Sequence, residues 1–446
     1  MFEFVNINDY RSFCFRGEGR ANYVVSAKCK KTGERIVWRL AKHRKSGNVS
    51  IKPKCHITNA YMENLIAPVI PSKFLIKSKM VFIPIQHVHH LAKLPSLRFN
   101  TKIATFDDLS ILSSLSMLPL RDCAIAMQQD IRCIAALEMY DATCIPKRFP
   151  ATSKSPTITV ELKPKQGFFQ HHPGMDDIPF CNNCVLQIEK WKNAAFDKMY
   201  DFCPLDLYSG NLNRMKSAIS SLIHDPHRNL RIFLNGNTVH SDEAVLNPAK
   251  LNEILFPDEN ADIDILSTAL CQILAGSDDD VTDFGLAEEC ILNYLLKAQQ
   301  LDPIGIITAH QLYQSLSYCE QLRLHDKTRL MKNSLNSFLN QTDAMGLLER
   351  YFFAATLKDC SLMISLSQIS PSDLNGTNGL AKNIVKVRHS SPMFFAYSIR
   401  IVDLDPKSPK NLINAHQRFL EGVQIIKDNP TIHRPCIDTA TLAAAS

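Results

Sequence analysis

Several absences narrow the class of protein before any motif is considered. The sequence has no apolar run near the roughly 20 residues that a membrane-spanning helix needs, and its first residues lack the basic-then-apolar layout of a signal peptide. Internal repeats, sustained heptads and any other oligomerisation pattern are also missing. We therefore expect a globular protein without membrane insertion, and we expect it to be a monomer.

Neither the charge nor the cysteine content is extreme. The formal net charge of +6 is a mild basic excess, which permits an anionic partner without demanding one. Fourteen cysteines are scattered among hydrophobic stretches, as is typical of the reducing cytoplasm or nucleus. Basic and aromatic residues are not interleaved, and no finger or recognition-helix pattern occurs, so a nucleic-acid-binding function is disfavoured.

The hydrophobic periodicities predict an α+β protein. With 446 residues the chain is longer than one compact domain usually is, so two lobes are the default expectation. Alternating apolar residues predict strands within 12–41 and at 158–162, whereas helical spacing prevails over 270–350. A stretch rich in Pro, Ser and Thr at 146–157 separates these regions. The predicted units are a smaller β-rich N-terminal lobe at 1–142, a larger helix-rich C-terminal lobe at 143–430 with a helical insertion at about 240–350, and a flexible tail at 431–446.

A glycine-containing turn near the N-terminus is a candidate phosphate-binding loop. The segment Arg16–Asn22 (RGEGRAN) lies between two predicted strands, and glycine there lets the backbone approach a triphosphate closely. Arg39 follows on the third predicted strand, where a guanidinium can form forked bonds to phosphate oxygens. The alternative for the loop is an ordinary hairpin turn, and the alternative for Arg39 is a solvated cation on an edge strand. Each alternative is the better interpretation if the loop or Arg39, respectively, lacks the other as a partner.

Residues 159–168 (TVELKPKQGF) carry an unusual set of charges. Period-2 alternation puts Glu161, Lys163 and Lys165 on one side of an extended segment, and Pro164 indicates an edge or the end of a strand. Three charges on one face cannot be buried in an apolar core without partners. The lysines therefore either lie on a solvated strand edge or face a multiply charged anion.

Two aspartates end predicted secondary structures. Asp359 lies at a helix-to-strand junction, and Asp403 ends the apolar strand SIRIV. A carboxylate at the end of a buried strand is well placed to hold Mg²⁺, and a second one can accept the proton of an attacking hydroxyl. Helix capping or a turn is the alternative for each.

A candidate structural zinc site lies between residues 171 and 184. Two adjacent histidines precede a C-x-x-C motif, and Zn²⁺ accepts such mixed nitrogen and sulfur ligands. Adjacent histidines cannot easily bind the same ion, and Cys203 lies close behind in sequence. We therefore take His172, Cys181 and Cys184 as the candidate ligands, although a single C-x-x-C is a weak signal.

Six short stretches resemble, in order, the inositol-pentakisphosphate 2-kinase family. They are Arg16–Asn22, Val160–Phe168 (VELKPKQGF, containing the family's E-x-K-P-K-x-G core), Cys203–Gly210 (CPLDLYSG), Asn229–Gly236 (NLRIFLNG), Ala354–Ile364 (AATLKDCSLMI) and Ile401–Lys407 (IVDLDPK). The resemblance implies a two-lobed kinase-like fold with ATP between the lobes and a basic inositide pocket in the C-terminal lobe. It also implies ATP- and Mg-dependent phosphorylation of the 2-hydroxyl of inositol 1,3,4,5,6-pentakisphosphate to inositol hexakisphosphate. The alternative is a non-catalytic inositol-phosphate-binding scaffold on the same fold.

The resemblance further implies roles for individual residues. The catalytic pair would be Asp359, which engages the 2-hydroxyl, and Lys163. The ATP-binding residues would be Gly17, Gly19, Asn22, Arg39, Asp141, Glu161, Met363 and Asp403, the last of which would also bind Mg²⁺. The inositide-binding residues would be Lys163, Lys165, Lys190, Asn229, Lys407 and Arg98.

Three departures from the family pattern are visible. Asn182–Gln187 reads NNCVLQ where the family commonly has R-[FY]-x-M-H-Q. Ser408 stands where proline is usual, and Asn411 stands where some members carry an arginine that grips the substrate. These differences predict altered affinity or selectivity among inositol phosphates, with the transfer machinery intact.

Overall fold

A computed structural model describes residues 3–18, 22–41, 54–84, 117–119, 132–145, 155–258, 261–277, 285–371, 374, 383–388 and 392–437. Two predicted site residues, Gly19 and Arg98, lie outside these described residues, as does the end of the predicted tail from 438 onward. Within the described part of the chain, no helix combines the length and apolarity needed to cross a bilayer.

The first sheet, called here the N-terminal sheet, has seven strands within the described residues. They are β1 (Glu3–Phe4), β2 (Tyr10–Glu18), β3 (Asn22–Cys29), β4 (Arg35–Ala41), β5 (Ser78–Pro84), β6 (Met117–Pro119) and β7 (Arg132–Tyr140). Their order is β1-β5-β7-β4-β3-β2, and β6 pairs with β7. The strands predicted within 12–41 are thus confirmed as β2, β3 and β4. Their alternation buries Val25, Trp38 and Leu40 on one face, where the Trp38 indole donates a hydrogen bond to Glu138 at 2.8 Å.

The second sheet, the C-terminal sheet, has six antiparallel strands in the part of the chain that the structure describes. They are β8 (Thr157–Leu162), β9 (Leu230–Leu234), β10 (Asn237–His240), β11 (Ser361–Ile369), β12 (Ile384–Val387) and β13 (Met393–Val402), in the order β10-β9-β8-β11-β13-β12. β8 lies inside the sheet between β9 and β11. Pro164 follows two residues after its last paired residue, so the proline marks the end of a strand and not an edge.

The helices follow mainly the first strand of the C-terminal sheet. They are α1 (Lys54–Tyr61, continued by a π-helical turn at Met62–Ile66), α2 (Asn182–Lys192), α3 (Pro204–Leu207), α4 (Leu212–His224), α5 (Pro248–Leu255), α6 (Ile263–Ala275), α7 (Ile291–Gln299), α8 (Gly305–Ser315), α9 (Tyr318–His325), α10 (Leu335–Leu339), α11 (Ala344–Leu357) and α12 (Pro409–Asp428). Single 3₁₀ turns occur at Ile7–Asp9, Ser72–Phe74 and Lys327–Met331. The predicted α+β class is therefore confirmed.

Two apolar clusters hold the helices in place. One lies between the C-terminal sheet and helices α4, α6 and α7, and it includes Ile232, Leu266 and Ile364. The other joins α2, α8, α11 and α12. In it α12 approaches α2 so closely that a Cβ on Gly422 would lie 2.6 Å from the carbonyl oxygen of Val185. Helix α2 is therefore fixed next to the last helix.

Candidate functional site

The order of the C-terminal sheet brings three chain segments to one end. β11 lies between β8 and β13, with Leu162 opposite Leu362 and Val402 opposite Ser361. Because both neighbours are antiparallel to β11, their last residues meet its first residues. The segments that follow β8 and β13 therefore converge on the turn between α11 and β11, which carries Asp359.

Three lysines surround Asp359 at this end of the sheet. Lys165 Nζ donates to Oδ1 at 3.1 Å, Lys407 Nζ donates to Oδ2 at 2.5 Å, and Lys163 Nζ lies 4.0 Å from Oδ1. Burial opposes ionisation of the carboxyl group. The positive charges of Lys165, Lys407 and Lys163 outweigh it and hold the pKa of Asp359 well below its usual range. Three ammonium groups thus surround one ionised carboxylate, and this arrangement can bind several anionic groups.

The backbone after β8 directs Lys163 and Lys165 toward Asp359. The Lys163 N–H donates to the Asn229 carbonyl at 2.8 Å, whereas Lys165 has a left-handed backbone with φ of +60°. This conformation ends the strict alternation expected from the sequence, yet Lys163 and Lys165 still reach the same carboxylate. The predicted inositide residue Asn229 is buried and bonds Tyr200 through its side chain, so it is available here chiefly as a backbone partner of Lys163.

Lys190, in the last turn of α2, extends the cationic cluster. Its ammonium lies 5.5 Å from the centre of the Phe196 ring. Burial, together with the positive charges of Lys165 and Arg418, lowers the pKa of Lys190 to about 8. The predicted lysines that the structure describes thus share one electrostatic environment.

Asp403 and Arg39 lie on opposite walls of a neighbouring cleft. Asp403 follows β13 in a left-handed conformation (φ 61°), and its half-exposed carboxylate is 3.6 Å from the guanidinium of Arg39 on β4. Leu137 and Met139 of the N-terminal sheet line the same cleft, facing Ile401. Burial opposes the charge of Lys163, but the carboxylates of Asp359 and Asp403 raise the pKa of its ammonium group above the usual value. The cleft therefore adjoins the lysine cluster.

A carboxylate that the sequence analysis did not select, Asp405, links the two sheets. It accepts hydrogen bonds from Asn22 Nδ2 at 3.3 Å, Arg39 Nη2 at 3.1 Å and Thr58 Oγ1 at 3.4 Å. Burial opposes the charge of Arg39, but Asp405 and Asp403 raise its pKa above the ordinary value. Its spacing of two residues from Asp403, within the family-like stretch IVDLDPK, is a sequence signal that could have indicated this second acid.

The remaining predicted ATP-binding residues lie in three different places. Gly17 is on β2, opposite Val24. Asp141 is buried, and its carboxylate accepts bonds from Arg16 at 3.2 Å and from Thr143 at 2.6 Å. Glu161 and Met363 are neighbours on adjacent strands of the C-terminal sheet. Their roles toward a nucleotide stay predictions.

Among the residues that the structure describes, the cluster that could hold a metal ion consists of four cysteines and no histidine. The Sγ atoms of Cys181, Cys184, Cys203 and Cys436 all lie within 4.8 Å of one another. His172 is not part of it, so that predicted ligand is wrong. Its ring instead hydrogen-bonds Asn182 at 2.8 Å and packs against an aromatic ring of α12.

The segment expected to begin a flexible tail supplies the fourth thiol. Cys436 N donates to the Pro179 carbonyl at 2.9 Å, and Arg434 forms an ion pair with Asp206 at 2.7 Å. Residues 431–437 are thus packed against α3 and the segment before α2.

The departures from the family pattern have local explanations. Asn182 bonds His172 and Gln166 in a polar network at the start of α2. Asn411 caps the first turn of α12 by accepting from Ser408 N at 3.0 Å. Arg418, on the same helix, pairs with Glu189 next to Lys190. The guanidinium of Arg418 therefore lies beside Lys190, although NNCVLQ lacks the arginine of the family's R-[FY]-x-M-H-Q pattern.

Lysines converging on an ionised carboxylate, beside a cleft with paired aspartates and an arginine, define a site for multiply charged phosphate compounds. Comparison with known proteins agrees with this class. Residues 15–418 match the family described as inositol-pentakisphosphate 2-kinase. The chain belongs to this family, and it is a kinase.

Relatives from distant organisms carry the same name. The inositol-pentakisphosphate 2-kinase of Danio rerio is 26% identical over 444 residues, which cover 82% of each protein. That of Arabidopsis thaliana is 26% identical over 57% of this chain and 56% of the relative. That of Drosophila melanogaster is 29% identical over 23% of this chain and 21% of the relative. The resemblance found in the six sequence motifs is confirmed.

Proposed function

We propose that the protein transfers the γ-phosphoryl group of ATP, with Mg²⁺, to the 2-hydroxyl of inositol 1,3,4,5,6-pentakisphosphate and so forms inositol hexakisphosphate. The observation that carries this proposal is the convergence of Lys163, Lys165 and Lys407 on Asp359. Five phosphates at about −1.5 to −2 each give the substrate a charge of roughly −8 to −10. A local cluster of cations is needed to hold such a ligand, whatever the net charge of the chain.

The nucleotide would occupy the neighbouring cleft in a two-lobed, kinase-like arrangement, with the N-terminal sheet as one lobe. Arg39 and Asn22 would face its phosphates, and Asp403 would hold Mg²⁺, which prefers carboxylate and phosphate oxygens. Asp403 fits this task because its carboxylate is half-exposed beside the cleft. When bound, the metal would neutralise charge on the transferred group.

Asp359 would orient the reacting hydroxyl. With its pKa held low by three lysines, it is ionised at neutral pH and can accept a hydrogen bond from the hydroxyl. Substrate phosphates would draw the lysines toward themselves, and this would raise the pKa of Asp359 from its low value. The carboxylate would then become a better acceptor for the proton as the hydroxyl oxygen bonds to phosphorus.

Product analysis tests this function. The protein is incubated with Mg²⁺, labelled ATP and each pentakisphosphate isomer in turn, and the inositol products are separated. We expect label in inositol hexakisphosphate with the isomer that has a free 2-hydroxyl. Binding of that isomer without label transfer would contradict the proposal and favour a non-catalytic scaffold.

Substrate affinity should depend on the protonation of Lys190. Because its pKa is about 8, Lys190 is cationic below that pH and neutral above it, so KM for the inositide is expected to rise as pH increases through 8. Replacing Lys190 with arginine keeps the charge and should flatten this rise, whereas methionine should give a raised KM at all pH values. An unchanged pH profile in the arginine variant would show that another group is responsible.

We also propose a structural zinc bound by Cys181, Cys184, Cys203 and Cys436. In a tetrahedral site with Zn–S bonds of about 2.3 Å the sulfurs are about 3.8 Å apart. The Sγ atoms of Cys181 and Cys184 are 3.6 Å apart, and those of Cys203 and Cys436 are 3.7 Å apart. The four thiols therefore fit the ion. A reducing compartment, the cytoplasm or the nucleus, would keep them available for it.

Replacing Cys436 with serine tests the zinc site. We expect loss of bound zinc in metal analysis and a melting temperature lower by about 5–10 °C, because each kcal/mol shifts the melting of a large domain by about 2–4 °C. His172→Ala is the matched control and should keep its zinc. Zinc retained by Cys436→Ser but lost by His172→Ala would restore the ligand set expected from the sequence.

A further inference from the structure

The side chain of Gln299 joins two segments of the site without reaching the site itself. It is fully buried at the end of α7. Its Oε1 accepts from Gly167 N at 2.9 Å, and its Nε2 donates to the carbonyl oxygens of Lys165 at 2.9 Å and Leu357 at 3.2 Å. One amide thus links the loop that carries Lys165 to the end of the helix that precedes Asp359.

The loop needs such a partner because it has left the sheet. After the bond from Lys163 N to the Asn229 carbonyl, its backbone no longer pairs with a neighbouring strand, and Lys165 has the left-handed conformation that residues other than glycine rarely adopt. Gly167 lies so close to Tyr208 that a Cβ would be 2.4 Å from the ring. A buried loop with this backbone persists only where its surroundings hold it.

The corner between α7 and α8 also bonds the residue that directly precedes Asp359. Asp302, three residues after Gln299, has a fully buried side chain and accepts from Lys358 Nζ at 2.8 Å. Its second oxygen accepts from Ile304 N at 3.0 Å and Gly305 N at 2.9 Å, which fixes the carboxylate. The residues immediately before Asp359 are therefore bonded to the α7–α8 corner through both a carbonyl and an ammonium group.

We infer that Gln299 is a positioning residue that sets the distance between Lys165 and Asp359. Its side chain is fully buried and would not contact the proposed substrate. Its amide fixes two backbone segments whose side chains meet at 3.1 Å in the lysine cluster. This inference rests on the roles proposed above for Lys165 and Asp359.

Two variants separate positioning from simple loss of packing. Gln299→Met keeps the volume and removes both hydrogen-bonding groups. Gln299→Glu keeps the acceptor for Gly167 N, but its ionised carboxylate would repel the two carbonyls, and only the protonated acid can donate to one of them. Burial raises the pKa of such a carboxyl group, so protonation falls within the assay range.

We expect Gln299→Met to lower kcat/KM for the inositide by about 10²-fold, since a misplacement of about 1 Å can cost that much, while KM for ATP changes less than about twofold. The activity of Gln299→Glu relative to wild type should rise as pH falls from 8 to 6. The ratio for Gln299→Met should stay flat over the same range.

Gln272→Met is the matched control, because Gln272 is a similarly buried glutamine on α6. It should lower the melting temperature without changing either KM. The inference is overturned if folded Gln299→Met keeps the wild-type kcat/KM for the inositide. It is also overturned if both Gln299 variants lose kcat/KM for ATP and for the inositide equally, and if their activity relative to wild type does not change with pH. Asp359→Asn, assayed alongside, separates this result from failure of the proposed function: if that variant stays fully active, the role proposed above for Asp359 is wrong.

Discussion

Replacing Asp403 with asparagine is expected to lower kcat for phosphoryl transfer by about 10³-fold, the scale on which single charge-stabilising groups act in catalysis. Asparagine tolerates the left-handed backbone found at this position, so the fold should be preserved. It has no negative charge with which to hold Mg²⁺ beside the cleft. The measurement is the rate of inositol hexakisphosphate formation at saturating ATP and inositide.

Binding should survive in this variant. Lys165 and Lys407 bond directly to Asp359, and Lys163 lies 4.0 Å from it, so the cluster should persist without the charge of Asp403. The affinity for inositol hexakisphosphate, measured by calorimetry, should therefore stay close to that of the wild type. Asp428→Asn, at the exposed end of α12, controls for the loss of an acidic group and should be fully active. A rate within about tenfold of wild type in Asp403→Asn would show that another group binds the metal.

Local patterns in the sequence predicted the elements that carry the site. The helix-to-strand junction predicted at Asp359 is observed between Ala344–Leu357 and Ser361–Ile369, and the strand predicted before Asp403 is observed at Met393–Val402. These elements have strong periodicity and clear ends, and both features are properties of neighbouring residues. The α+β class follows from them.

Contacts between distant residues could not be predicted in the same way. Cys436 meets Cys181 because residues 431–437 pack against α3 and the segment before α2, and no spacing in the sequence indicates this. The adjacent histidines were the nearest available ligands in sequence, but His172 points instead toward Asn182 and α12. Asp405 was overlooked for a similar reason, since its partners Asn22 and Arg39 belong to the other sheet.

The resemblance to a family supplied what the patterns alone left open. Period-2 alternation placed Glu161 with the lysines, yet Lys165 departs from the extended conformation and Glu161 lies 3.7 Å from Arg231. Lys165 reaches Asp359 from the loop that Gln299 bonds, and Lys407 reaches it from the segment after β13, so strand alternation alone does not explain the cluster. The structure brings Lys163 and Lys165 of this motif to the same carboxylate, and their role in binding stays a prediction.

Replacing Asp359 with asparagine should have opposite effects on catalysis and binding. We expect kcat to fall by about 10²–10⁴-fold, the range for loss of a group that accepts a proton. Removing one negative charge from among three lysines should strengthen the binding of inositol hexakisphosphate, and the gain should shrink as salt is added.

The opposite signs make this variant informative, because a misfolded site would lose both catalysis and binding. Calorimetry with inositol hexakisphosphate at low and high salt gives the affinity, and product formation gives the rate. If kcat stays near the wild-type value, Asp359 only balances the lysine charges, and the hydroxyl must be oriented by another group. If affinity falls together with kcat, the carboxylate is needed to hold Lys165 and Lys407 in their binding positions, since both bond to it directly.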